Sequence, residues 1–157
     1  MLWKLFSAFI LVVVFCSALA AQDEPFLGVW EFNPSASHVT RGAPYKSQTL
    51  VVVPEAGGFK RTAATISENG TSVEIHHLDF DANFHQTEGG DPREISVKRI
   101  DQRTIEETAK RNRDGHITLG TRRLEISKDG KTMTITASGT TATGETYTND
   151  IRVYDKR

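Results

Sequence analysis

Two residues near the C-terminal end of the chain, Arg152 and Tyr154, are suited to bind an anion together. They lie two positions apart, so on a β-strand their side chains point to the same face. A guanidinium group and a phenol both donate hydrogen bonds, which hold an anion well in an enclosed site of low dielectric constant. Arg123, on the predicted strand before the Asp129-Gly130 turn, is the expected third member of this group.

The opposite orientation of this strand is also open. Ile151 and Val153 share the other face, and apolar side chains more often point inward. If they do so here, Arg152 is a surface residue. If the face of Arg152 is the inner one, its guanidinium needs a carboxylate, an aromatic ring or a ligand anion, because an unpaired buried charge is costly.

A second candidate group comprises the histidines of the segment His76-His77-Leu78-Asp79, with His85 close behind. On a strand, His77 and Asp79 share a face and His76 points away. Imidazole and carboxylate groups suit zinc, but structural zinc sites usually have tighter spacing or cysteines. We expect histidines on a half-exposed strand and no metal site; an axial haem ligand at His77 or His116 is a rarer alternative.

The sequence carries no signature of catalysis. It has no Gly-x-Ser-x-Gly elbow, no His-Glu-x-x-His and no glycine-rich phosphate loop. Glu106 and Glu107 are adjacent, so on a strand they face opposite ways and cannot work as paired carboxylates. They are predicted to form a solvated face with Lys110 and Arg111. We therefore predict that the protein is not an enzyme and has no cofactor.

The first 21 of the 157 residues have the pattern of a secretory signal peptide. Lys4 supplies a positive start, Leu5 to Cys16 is almost wholly apolar, and Ser17 to Ala21 is a run of mostly small residues before the expected cleavage point. The apolar run is too short to span a membrane. We expect a secreted or periplasmic protein whose mature domain covers residues 22–157.

The charge of the mature chain excludes some partners. The whole chain has 19 basic and 20 acidic residues, and removal of residues 1–21 takes away only Lys4, leaving a net charge of −2. Near-neutral charge with the signs interspersed argues against a nucleic-acid surface and against a polybasic membrane anchor. Because the only cysteine is Cys16, the mature domain has no disulfide. The sequence leaves the oligomeric state open.

The mature chain has the pattern of an all-β protein. Apolar residues alternate by two, as in Phe26, Gly28, Trp30 and Phe32, and no helical period persists. Turn signals recur at Gly57-Gly58, Asn69-Gly70, Gly89-Gly90, Asp114-Gly115, Asp129-Gly130 and Thr143-Gly144. The predicted strands are 26–32, 45–54, 58–67, 72–80, 83–87, 94–100, 103–110, 116–127, 131–138 and 145–155.

So many short strands joined by hairpins predict a single antiparallel up-and-down β-barrel of about eight to ten strands, because closure protects the sheet edges. A two-sheet sandwich is the main alternative, although it normally needs longer connections. Residues 33–44 are predicted to form an irregular loop that could cover one end of the barrel.

Both ends of the mature chain resemble the calycin superfamily. The first strand contains Gly28-Val29-Trp30, similar to the opening Gly-x-Trp of lipocalins and fatty-acid-binding proteins, and Arg152-Val153-Tyr154 is similar to the closing Arg-x-Tyr of the latter. The Asp129-Gly130-Lys131 turn also matches, and the whole resembles exported bacterial lipocalin-like proteins of unassigned role. Residues 33–44 are too short and too proline-rich for the helical lid of the fatty-acid-binding proteins.

The resemblance implies a ligand-binding barrel. Gly28 and Trp30 would be structural residues, with Trp30 buried at the base of the barrel. Arg152 and Tyr154 would grip a carboxylate, or Arg152 would stack on Trp30 as the last-strand arginine of lipocalins does.

We therefore expect a small hydrophobic or amphiphilic ligand, in a cavity that is apolar except for one cationic end. The alternative is a packed barrel that binds a partner through its surface. A cavity of about 300 Å³ or more favours the first.

Overall fold

The computed structural model describes residues 24–40, 45–141 and 143–157, so the expected signal peptide, residues 1–21, lies outside the described residues. The described chain is all-β, and it contains no helix long and apolar enough to cross a membrane. The strands are β1 Gly28–His38, β2 Tyr45–Glu55, β3 Gly58–Ser67, β4 Gly70–Asp79, β5 His85–Gln86, β6 Glu94–Asp101, β7 Thr104–Arg113, β8 His116–Ile126, β9 Thr132–Thr140 and β10 Thr146–Lys156.

All ten strands form one antiparallel sheet in the order β4-β3-β2-β1-β10-β9-β8-β7-β6-β5. Every pair of neighbours is consecutive in the chain except β1 and β10, which join the two ends of the domain. The two edges of the sheet meet where Ile75 of β4 and Glu88, two residues after β5, exchange backbone hydrogen bonds of 2.9 and 3.0 Å. The predicted up-and-down barrel is confirmed, and it is nearly closed.

Short hairpin turns set this topology. At the β7–β8 turn, Asp114 and Gly115 both have positive φ, of 51° and 83°. That conformation matches the twist of the two flanking strands, and it is accessible to few residue pairs besides Asn-Gly and Asp-Gly. We call the barrel end with the turns at 56–57, 102–103 and 127–131 the base, and the opposite end the mouth.

The prediction of an irregular loop from residue 33 is wrong, because β1 continues to His38. The strand is irregular between Asn33 and His38, where its pairing with β10 shifts. Side chains replace the missing ladder contacts there: the Ser37 hydroxyl donates to the Asn33 carbonyl at 2.7 Å and accepts the Val153 N–H at 2.9 Å. Residues 41–44 of the predicted loop lie outside the described residues.

The base of the barrel is filled by apolar side chains. Trp30 is fully buried, and its indole N–H donates to the Phe26 carbonyl at 2.9 Å. The cation over its ring is Lys156, with Nζ 5.0 Å from the ring centroid, and not Arg152 as the lipocalin resemblance had suggested. Gly28 is at φ +127°, and a Cβ there would lie only 3.0 Å from Lys156 Cε. A residue larger than glycine would therefore disturb the contact between Lys156 and the Trp30 ring.

Candidate binding site: an arginine-lined cleft in the barrel mouth

The mouth half of the barrel contains an open cleft of about 470 Å³. Four arginines line it: Arg93, Arg111, Arg122 and Arg152. The other lining residues are also polar or aromatic, and two of them are carboxylates, Glu74 and Asp91. The volume lies in the usual range of small-molecule sites, about 300–1,000 Å³. Its polar walls differ from the mostly apolar cavity expected from the sequence.

Below this cleft the interior is nearly full. A second void of about 50 Å³ lies beneath it, bounded in part by Leu50, Ala63 and Ile135. Further towards the base, the side chains of Trp30 and Met133 are at most 1% exposed. Among the described residues, the apolar half of the interior is therefore core, and the cleft in the polar half is the larger space for a ligand.

Arg152 and Tyr154 both point into the barrel. The Arg152 side chain is 14% exposed, and its Nη2 lies 3.1 Å from Asp150 Oδ2. Its guanidinium also lies over the Tyr45 ring, 5.0 Å from the centroid. Tyr154 is buried beneath the cleft, where its hydroxyl donates to Gln48, and burial raises the pKa of the phenol. The face that carries Arg152 is thus the inner one.

Arg123 lies on the outer wall and does not join this group. It pairs with Glu106 at 2.9 Å and with Glu125 at 3.2 Å. The neighbouring Arg122 faces inward and lines the cleft instead. The reason is strand parity, because Arg122 shares a face with Leu124, which is buried in the core. That parity was readable from the sequence.

Arg122 belongs to a buried ion cluster centred on Glu107. Arg61 binds both carboxylate oxygens of Glu107, at 2.6 and 3.1 Å, and Arg122 Nη1 lies 3.7 Å from Oε2. Burial raises the pKa of Glu107, but the charges of Arg61 and Arg122 outweigh it and hold the pKa at about 2. Glu107 is therefore an ionised core residue. The solvated face predicted for both glutamates is wrong for Glu107, and only Glu106 lies outside.

His76 links this cluster to the wall of the cleft. Its Nδ1 accepts from Arg61 Nη2 at 2.5 Å, so the ring hydrogen is on Nε2, which donates to Glu74 Oε2 at 3.2 Å. Arg93 Nη2 donates to the same Glu74 oxygen. Burial, together with the charge of Arg61, lowers the pKa of His76 to about 4. Burial raises the pKa of Glu74, but its hydrogen bond to His76 and the charge of Arg93 outweigh this effect and lower the pKa to about 2.

The adjacent histidines should respond oppositely to pH. The pKa of His76 is about 4 in the folded state and 6.5 ordinarily. Between pH 6.5 and pH 4, His76 therefore binds a proton in the unfolded chain but not in the native state. As the pH falls through this window, the native state loses at most about 3 kcal/mol of stability. Hydrogen bonds that His77 donates to Glu55 and Glu88 instead raise the pKa of His77. The stability that His77 contributes is therefore present below pH 6.5 and lost as the pH rises through its folded pKa.

Urea unfolding between pH 4 and pH 8 measures this difference. The variant His76→Gln should lose less stability on acidification than the unmodified protein. His77→Gln, the matched control on the outer wall, should lose more. Equal pH profiles for the two variants would mean that His76 is hydrated in the native state.

The arginines of the cleft are crowded, although each has a carboxylate partner: Arg93 has Glu74, Arg111 has Asp91, Arg122 has Glu107 and Arg152 has Asp150. Arg93 immediately precedes β6, and the register that pairs Glu94 with Lys110 places it opposite Arg111. Burial, followed by the charge of Arg122, lowers the pKa of Arg93 to about 10. In the described part of the chain, the buried Nε atoms of Arg93 and Arg152 have no hydrogen-bond partner. Like charges opposed across strands destabilise a sheet, and an anion between them relieves that cost.

The remaining histidines lie outside the barrel or at its rim. His77 bonds to Glu55 at 2.7 Å and to Glu88 at 3.2 Å, while His85 Nε2 lies 3.0 Å from Asp81. His116 is exposed at the start of β8. Among residues 24–40, 45–141 and 143–157, no three His, Cys, Asp or Glu side chains are placed to hold a metal ion.

The cleft thus presents several hydrogen-bond donors of positive charge to one small volume, an arrangement suited to holding an anion. The chain matches no model of a known protein family and no curated protein.

Proposed function

We propose that this protein is a non-enzymatic binding barrel that holds a compact anionic ligand in its mouth. The observation that carries the proposal is the convergence of Arg93, Arg111, Arg122 and Arg152 on one cleft of about 470 Å³. Guanidinium groups bind carboxylates and phosphates through charged, often paired hydrogen bonds. The Nε atoms of Arg93 and Arg152, which have no hydrogen-bond partner among the described residues, support the same conclusion.

The packed base argues for a compact ligand. A long acyl chain would have to enter the apolar half of the barrel, where the void that the described residues form beneath the cleft measures about 50 Å³. Of the hydrophobic or amphiphilic ligands expected from the sequence, we therefore favour those with a dominant anionic head and no long tail.

The ten-stranded up-and-down barrel is compatible with a calycin-like fold. With the Gly28-Val29-Trp30 and Arg152-Val153-Tyr154 motifs, this supports the proposal of a lipocalin-like protein. We further propose that residues 1–21 are removed on export, and that residues 22–157 act in the periplasm or outside the cell.

Calorimetric titration of the mature protein with citrate, inorganic phosphate and a fluorescent fatty acid tests the proposal. We expect citrate or phosphate to bind and the fatty acid to bind weakly or not at all. Arg122→Gln should weaken anion binding by about tenfold or more, since a hydrogen bond to a charged group contributes about 1.5–3 kcal/mol. Arg152→Gln should act in the same direction.

Arg123→Gln is the matched control, because it removes the same charge one residue away on the outer wall. It should leave the affinity unchanged. Equal affinities for the Arg122→Gln and Arg123→Gln variants would remove the cleft from the binding site. A failure of every anion tested to bind would contradict the proposed function.

A second candidate is a module that binds a protein partner through its outer wall. On β2–β4 that wall exposes Val51, Val53, Ile66 and Val73, each 38–51% accessible. Several exposed apolar side chains on one wall are a feature of interaction surfaces. Binding of a partner there would not depend on Arg122.

A further inference from the structure

The cleft has two chemically different walls. The arginine wall consists of Arg93, Arg111, Arg122 and Arg152, which come from the segment before β6 and from β7, β8 and β10. The facing part of the barrel, β2 to β4, contributes neutral hydrogen-bonding side chains, and we call these the amide–hydroxyl wall: Gln48, Thr65, Ser67, Asn69 and Ser72. Glu74 is the acidic residue of β4 in this lining, and Arg93 neutralises it.

In the amide–hydroxyl wall, a chain of hydrogen bonds ends at the hydroxyl group of Thr65, which lines the cleft. The buried Tyr154 hydroxyl donates to Gln48 Oε1, and Gln48 Nε2 in turn donates to Thr65 Oγ1 at 2.6 Å. Because Thr65 Oγ1 already accepts this bond, its own hydrogen is left to donate. Thr65 is only 9% exposed, so solvent does little to satisfy that hydrogen. Donors linked in one direction polarise each other, which strengthens the last one.

The outer part of the same wall has further polar groups. The Asn69 amide and the Ser72 hydroxyl belong to exposed residues of the cleft, and neither side chain forms a hydrogen bond within the described ranges. The Ser67 hydroxyl, by contrast, already bonds to the turn through the Gly70 carbonyl and the Asn69 N–H. Asn69 and Ser72 can therefore donate to and accept from a ligand that reaches this side.

From these two walls we infer that the ligand is a hydroxylated anion, with its acidic group on the arginine wall and its hydroxyl groups on the amide–hydroxyl wall. Sugar acids and sugar phosphates share this chemistry. The inference rests on the proposed function and names its ligand class. A simple anion would leave the amide–hydroxyl wall unused. Among the described residues, this wall has no cation for a ligand with charges at both ends, and it offers an acyl chain a mostly polar surface.

Matched ligands separate this inference from simple anion binding. In calorimetric titrations of the mature protein, glucuronate should bind about tenfold more tightly than acetate, or glucose 6-phosphate about tenfold more tightly than inorganic phosphate. The two comparisons distinguish a sugar acid from a sugar phosphate. Neutral glucose should bind far more weakly than either hydroxylated anion, because it has no charged group to accept hydrogen bonds from the arginine wall.

Variants of the amide–hydroxyl wall provide the second test. Thr65→Val and Ser72→Ala should each weaken the hydroxylated anion by about 3- to 10-fold, the usual effect of losing one hydrogen bond. Neither should change the affinity for the matched simple anion. Thr62→Val, on the outer face of the same strand β3, is the control and should change nothing. Ser72 is exposed, so its variant keeps the test valid if Thr65→Val fails to fold.

The outcomes distinguish the two proposals. If simple and hydroxylated anions bind equally well, and both depend on Arg122, the proposed function stands and the inference of a hydroxylated ligand is wrong. The inference is also wrong if the Thr65→Val and Ser72→Ala variants weaken both kinds of anion alike. If no anion binds at all, the proposed function fails and this inference fails with it.

Discussion

Replacing Glu107 with glutamine is expected to destabilise the protein by about 3–5 kcal/mol, the usual cost of leaving a buried charge without its partner. The Glu107 side chain has no exposure to solvent, and Arg61, which it binds through both oxygens, is 4% exposed. Glutamine fills nearly the same space but cannot compensate the charge of Arg61. The loss therefore measures charge pairing rather than packing, and it is obtained from urea unfolding at neutral pH.

Glu106→Gln is the control, because Glu106 is the adjacent residue on the outer wall. Its side chain is 48% exposed and pairs with Arg123 at 2.9 Å. Exposed pairs of this kind contribute about 0–1 kcal/mol. Similar losses in the two variants would mean that water reaches Glu107 in the native state.

The effect of Glu107 should also depend on pH. Its pKa is about 2 in the folded protein and 4.5 ordinarily, so its contribution is fully present above pH 4.5. That contribution is lost as the pH falls towards 2, because the folded state must then accept the proton. The difference in stability between the unmodified protein and Glu107→Gln should shrink over the same range.

The architecture could be predicted because it depends on local signals. Alternation by two identifies which segments are strands, and pairs such as Asp114-Gly115 fix where the chain reverses. The extension of β1 was missed because its cause is not local. It depends on the hydrogen bond that the Ser37 hydroxyl accepts from the Val153 N–H, more than a hundred residues away.

The site could be predicted only in part. Parity places Arg152 and Tyr154 on one face, but it does not say which face is inside, and the apolar neighbours Ile151 and Val153 suggested the opposite orientation. Arg123 was predicted in the site, whereas Arg122 lies there, because adjacent residues of a strand point to opposite faces of the wall. Leu124 is a core residue, so its parity with Arg122 already indicated that Arg122 points inward.

The buried ion cluster was missed for a different reason. Its members are charged residues, which are almost never buried unless they are paired. Arg61 and Glu107 are 46 positions apart, and each is stable in the interior only because the other is there. No property of either segment alone indicates the pairing, so both residues look like surface residues in the sequence.

Replacing Trp30 with alanine is the second change with a large expected effect, about 3–5 kcal/mol, as for other buried aromatic residues. Trp30 has no solvent exposure, and truncation removes its packing, its hydrogen bond to the Phe26 carbonyl and its contact with Lys156. Lys156→Ala, which removes only the contact over the ring, should cost about 0.5–1 kcal/mol. Thermal and urea unfolding measure both losses.

Ligand binding shows whether the two halves of the barrel have separate roles. Trp30→Phe keeps most of the volume at the base and leaves the arginine wall intact, so it should lower stability without changing affinity for an anion. Arg122→Gln should reduce that affinity at temperatures where the variant is fully folded. If Trp30→Phe weakened anion binding as much as Arg122→Gln, the base would be part of the site. If instead Trp30→Ala melted within a degree or two of the unmodified protein, Trp30 would not be a core residue.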